Sequence, residues 1–146
     1  MARRDQGQIP SLEYFQNMAQ SDDELQRNLG QYWTTRLDSG LPPLQAMPWE
    51  IGLLQLSPDH HIAYLGGEVL AEWLGHLRTW FNDERLLVWG YCQDVPCYLP
   101  TDELIPEGGY EVNPSNMYGK EGPGPFEPSL NKAVRLGFTT LARHLV

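Results

Sequence analysis

The residues best suited to chemistry lie between Tyr64 and Tyr110. A Gly66-Gly67 pair permits a sharp turn and is followed at once by a carboxylate, Glu68. Further on, a loop carries Asp94, Tyr98, Thr101 and Tyr110 behind a second apolar run, Leu86-Leu87-Val88-Trp89-Gly90-Tyr91. Carboxylates and hydroxyls behind two strand ends are what an open α/β sheet presents just past the carboxyl ends of its strands. Glu68 also has an ordinary reading, as an acid favoured by the dipole of a helix it begins, worth about 0.3–1 kcal/mol.

The other reactive side chains are less suggestive. Cys92 and Cys97 are separated by four residues with no second pair, a poor zinc motif, and read as ordinary thiols. His60 and His61 sit at a turn; neighbours along a strand point to opposite faces, so the two are not placed to share a metal.

Several elements must position these groups. Ser11 is expected to cap a helix through LEYFQNMAQ (12–20). Ser21-Asp22-Asp23-Glu24 reads as a capping box with Ser21 at the N-cap and Glu24 at N3. Leu25, Leu29, Tyr32, Trp33 and Leu37 then follow at helical spacing until Gly40 and Pro42-Pro43. Residues 44–49 read as a linker. Ile51–Leu56 and Ile62–Leu65 are expected to form an antiparallel hairpin with Ser57 to His60 at its tip.

The apolar stripe Val69, Leu70, Trp73, Leu74, Leu77, Trp80, Phe81 predicts a helix from Glu68 to about Phe81, ended by Asn82-Asp83. Arg85–Tyr91 reads as a strand buried on both faces, because its apolar run is nearly continuous. A loop of roughly 35 residues follows; its length and its aromatic residues argue for function rather than disorder. A closing helix from about Pro128 to Val146, with Ser129 or Glu127 at its start, completes the chain. The fold class expected is α/β, a mixed sheet flanked by helices in one domain over 1–146: a helical arm (1–43) and a strand–helix–strand–loop–helix core (44–146).

Composition narrows the partners. The net charge of −9 argues against nucleic acid and against electrostatic docking on anionic lipid. No run approaches the roughly 18 apolar residues of a transmembrane helix, and the basic start, Met1 to Asp5, lacks the apolar segment of a signal peptide.

Taken together, Gly66-Gly67-Glu68, GYCQDVPCYLPTDELIPEGGYE (90–111), Tyr118-Gly119 and PGPF (123–126) resemble the neutral/alkaline ceramidase family, and LDSGLPPLQAMPWEIGLLQL (37–56) resembles the stretch leading to the same strand. The likeness is to the C-terminal part of that family's catalytic domain, in its bacterial relatives. It implies a zinc-dependent amidohydrolase cleaving the amide of ceramide-like lipids. By position, Glu68 and Tyr98 resemble the zinc-binding glutamate and tyrosine. Tyr110, twelve residues after Tyr98, resembles the tyrosine that hydrogen-bonds the developing oxyanion.

The family's two zinc-binding histidines belong to an N-terminal portion outside these motifs, and His60, His61, His76 and His144 do not match them. The chain is therefore expected to carry only part of the zinc site. Its apolar strand Leu86–Tyr91 is expected to drive self-association or to await a missing N-terminal catalytic half. The alternative is a non-catalytic α/β module, or a split-subunit scaffold that needs such a partner.

Overall fold

The computed structural model describes residues 2–3, 9–118 and 124–143. Gly119, Pro123, His144 and Val146, which figure in the expectations above, lie outside the described residues. The elements run β1 (Ala2–Arg3), α1 (Leu12–Met18), α2 (Glu24–Asp38), β2 (Ala46–Met47), β3 (Ile51–Ser57), β4 (His60–Leu65), β5 (Glu68–Val69), α3 (Glu72–Phe81), β6 (Leu87–Trp89), β7 (Tyr98–Leu99) and α4 (Leu130–Ala142). The architecture is α/β: a mixed sheet with helices packed on it.

The helical arm follows its local signals closely. Ser11 caps α1 by accepting from Tyr14 N at 3.2 Å. The cap of α2 is a correction. Asp23, not Ser21, is the N-cap, and its Oδ1 accepts from Gln26 N at 2.8 Å. Ser21 Oγ instead accepts from Asp23 N and donates to Gln26 Oε1, holding the turn before the cap. At the far end Gly40 adopts φ +72° while Leu41 N reaches back to Arg36 O and Gly40 N to Leu37 O, a Schellman stop. Phe15 and Trp33, both fully buried, stack at 5.8 Å between the two helices. The 44–49 stretch is more than a linker, since β2 pairs antiparallel with β1.

β3 and β4 form the expected antiparallel hairpin, and β6 joins the other side of β4 in parallel, giving the order β3-β4-β6. Pairing sets the two faces. Leu53, Ala63 and Val88 are in register and point into the core with Ile51 and Leu65. On that face lie Trp73 and Leu77 of α3 and Leu130, Val134 and Phe138 of α4. α4 approaches β3 closely at Gly137, where a Cβ would run into Ile51 Cδ1. The opposite face carries Leu54, Ile62 and Leu87 in one register row, with Tyr64 and Trp89 in the next.

Strand β6 is the second correction. It is short, lies at the sheet edge and is covered on one face only: Leu87 is 48% and Trp89 50% exposed. A nearly continuous apolar run reads as doubly buried, but here the second face closes over Ile62 of β4 and leaves Leu87 and Trp89, at the edge, half exposed.

The third correction concerns Glu68. It does not begin a helix. Glu68–Val69 is a strand, β5, paired parallel with β7, Glu68 opposite Tyr98 and Val69 opposite Leu99. α3 starts only at Glu72. The 91–128 stretch likewise contains order, namely β7 and a 3-10 turn over Pro114–Tyr118. Asn82 ends α3 in the left-handed region at φ 50°, as its side chain tolerates. Neither Ser129 nor Glu127 lends a side chain to α4. Asp102 Oδ1 accepts from Leu130 N at 2.7 Å across 28 residues, while Asn131 Oδ1 accepts from Asp102 N at 3.0 Å.

Candidate functional site

The chain from Leu65 to Leu70 is clasped between two later segments. Gly67 N donates to Asp94 O (2.8 Å), Glu68 N to Cys97 O (3.0 Å) and Leu70 N to Leu99 O (3.4 Å). From the other side, Tyr91 N donates to Gly67 O (2.9 Å) and Cys92 N to Leu65 O (3.3 Å). The two glycines make this possible. A Cβ on Gly66 would sit 2.8 Å from Asp94 O, and one on Gly67, at φ +82°, 2.8 Å from Cys97 O. Trp49 Nε1 donates to Gly66 O at 2.8 Å and closes the turn. Below, the buried Trp73 donates from Nε1 to Leu99 O at 2.9 Å, so α3 fixes the height of β7.

These constraints bring Glu68, Tyr98 and Tyr110 together. Glu68 and Tyr98 are direct register partners. The rings of Tyr98 and Tyr110 meet edge to face at 6.0 Å. A fourth residue, Tyr91, joins them by donating its hydroxyl to Glu68 Oε2 at 2.8 Å. Tyr91 is a non-glycine residue at φ 56°, and Gln93 follows at φ 64°. Backbone in this region is costly for a side-chain-bearing residue and persists where surroundings enforce it. The sequence held a signal for Tyr91, an aromatic phenol at the end of an apolar strand run, but not for the turn that aims it at Glu68.

The carboxylate controls the phenols. Hydrogen bonding to Glu68, then partial loss of water, then the Glu68 charge push Tyr98 up to about 12. The same carboxylate raises Tyr91. Ionising either phenol beside Glu68 would place two negative charges side by side and forfeit a hydrogen bond. Tyr98 and Tyr91 thus hold their protons beside Glu68 in a site open to solvent, with Tyr110 53% exposed and Tyr91 65% exposed.

Asp94 and Thr101 do not join it as side chains. Asp94 Oδ1 accepts from Val95 N, and Thr101 is fully buried. Cys92 is a half-buried free thiol whose Sγ lies 3.4 Å from Gly90 O. His60 Nδ1 meets Ser57 Oγ at 2.9 Å and His61 Nδ1 faces Asp83 at 3.8 Å. His76 pairs with Glu103 at 3.3 Å. Among the described residues no three His, Cys, Asp or Glu side chains gather as a metal site. A catalytic zinc takes three protein ligands and keeps an open position. Glu68 with neutral Tyr98 supplies two candidate donors, so this set does not by itself make up a zinc centre.

Comparison with protein-family models, curated proteins and solved structures returns no significant match. Among the described residues no helix is long and apolar enough to cross a membrane.

Proposed function

We propose that Glu68, Tyr98 and Tyr110 form one wall of a hydrolytic site for a linear amide in a lipid-like substrate, of the kind the neutral-ceramidase resemblance implies. One observation carries this reading: the parallel β5–β7 pairing sets Glu68 opposite Tyr98, with Tyr110 against the Tyr98 ring. These residues come from distant positions, and they are the three that the resemblance singles out.

Amide hydrolysis passes through a tetrahedral oxyanion, and one donor aimed at that oxygen is worth about 10²–10³ in rate. Tyr98, held protonated by Glu68, and Tyr110 are hydroxyl donors on one surface. Glu68 keeps the Tyr98 proton in place and orients Tyr91 through its hydrogen bond. Bound zinc would supply an activated water and a polarised carbonyl. Glu68 and Tyr98 would hold it only together with nitrogen ligands from another polypeptide or another part of a longer protein.

A second reading, a non-catalytic α/β scaffold, is favoured by the Tyr91 hydroxyl already engaging Glu68 Oε2. Cobalt(II) titration at neutral pH, with excess imidazole standing in for the outside ligands, separates the two. The hydrolytic reading expects one cobalt per chain, bound roughly tenfold or more weakly in Glu68→Ala and more weakly also in Tyr98→Phe. Cobalt binding that is absent, or indifferent to Glu68→Ala in a folded protein, leaves the scaffold.

A further inference from the structure

We propose that the groove between α3 and α4 binds a small amphiphilic anion, with a carboxylate head and an apolar body. The groove encloses about 600 Å³, within the usual range for small-molecule sites. His76 and Trp80 line it from α3, and Lys132, Arg135 and Leu136 from α4. It continues past Trp80 and Arg135 into a second hollow of about 420 Å³ that reaches Arg143. None of its lining residues belongs to the Glu68 cluster, so this inference is independent of the hydrolytic reading.

Charge is the first argument. The chain carries a net charge of −9. Yet α4 (LNKAVRLGFTTLA) contains two cations and no acid, and Arg143 follows directly. Lys132, Arg135 and Arg143 recur at i, i+3 and i+11, which keeps them on one stripe of the helix. Among the described residues the ion pairs engage His61, His76 and Arg85, and none engages these three cations. The acids near the groove are already committed. Asp102 caps α4, and Glu103 is held by both Asn131 and His76. They mark the end from which an anionic head is repelled, so the head belongs at Arg135, towards Arg143.

Shape and polarity supply the second argument. The Arg135 guanidinium lies 5.8 Å from the Trp80 ring centroid, and that ring packs on His76 at 5.4 Å and Trp73 at 6.1 Å. Leu136, on the next position, is 65% exposed within the same groove. A rigid indole and an uncovered leucine beside cations with no carboxylate partner among the described residues suit a ligand with one charge and a hydrocarbon body. They suit neither a bare inorganic anion nor a neutral lipid.

The test is displacement of 8-anilinonaphthalene-1-sulfonate from the full chain by dodecanoate below its micelle concentration, read by fluorescence. The expected result is displacement that weakens about tenfold or more in Arg135→Glu, one lost charge contact. It weakens less in Lys132→Glu, falls with added salt and is unchanged in Glu68→Ala. Arg135→Gln, which removes the charge without reversing it, guards against a folding defect in Arg135→Glu and is expected to weaken binding as well. Equal displacement by dodecanol, dodecanoate binding undiminished in both Arg135 variants, or binding to anionic vesicles without binding of dodecanoate monomers each overturns the proposal.

Discussion

Glu68 and Glu103 are two carboxylates of one small fold, each linked to Trp73 through a neighbour. That indole donates to Leu99 O in the strand carrying Tyr98, and its ring lies 5.8 Å from His76, the ionic partner of Glu103. Glu103 is surrounded by donors that keep their protons. Its own backbone N–H and the Asn131 amide, which lies 3.1 Å from both carboxylate oxygens, hold it down at about 2. Glu68 faces phenols, which have protons to lose, and the shift appears on them: Tyr98 moves up to about 12 and Tyr91 moves the same way. The first arrangement ties a loop to a helix. The second keeps exchangeable protons at an open surface.

The largest expected effect removes what the two clusters share. Trp73→Ala deletes a fully buried indole and its hydrogen bond to β7, for a loss of about 3–5 kcal/mol in urea unfolding. Tyr98 and Glu103 should both revert towards their ordinary pKa values. If one cluster keeps its shift, Trp73 does not couple them.

A smaller effect separates the clusters. Asp102→Ala uncaps α4 and should cost about 1 kcal/mol, as loss of a helix cap does. The tyrosine titration near Glu68 should stay as it was. A shift of Tyr98 in this variant would show that the capping loop reaches the phenols.

The smallest effect lies in the pH dependence, and the two clusters give opposite signs. The lowered pKa of Glu103 contributes stability that is complete above about 4.5 and is lost as pH falls towards about 2. The raised pKa of Tyr98 contributes stability that is complete below 10 and is lost as pH rises towards about 12. Glu68→Gln should therefore bring two tyrosines back towards 10 in an ultraviolet absorbance titration. Late-ionising tyrosines that persist in Glu68→Gln would remove Glu68 as the cause.

Much of the fold was legible where one residue's chemistry acts on its near neighbours. The Ser11 cap, the Gly40 and Asn82 stops and the Ser57–His60 hairpin tip could each be read from the chain. Glu68 was misplaced because the apolar stripe of α3 extends backwards through Val69 and Leu70 and imitates one more turn of helix. Its backbone N–H is claimed instead by Cys97 O, 29 residues on. The open face of β6 was hidden for a related reason. Leu87 and Trp89 look like core residues, and only the layering of the sheet leaves them uncovered.

Local signals along the chain were enough for the α/β class, the main helices and the β3–β4 hairpin, and the family resemblance pointed to Glu68, Tyr98 and Tyr110. Only the folded chain makes them meet, brings Tyr91 to them, and has Asp102 supply the side-chain bond at the start of α4, where Ser129 holds the N-cap position. Caps and turns are settled within about a turn of the chain, by hydrogen bonds that local geometry already offers. The pairing of β5 with β7 joins segments about 30 residues apart and bears the entropy of closing that loop. The burial of Trp73 and Leu99 against the sheet supplies apolar contact that offsets it.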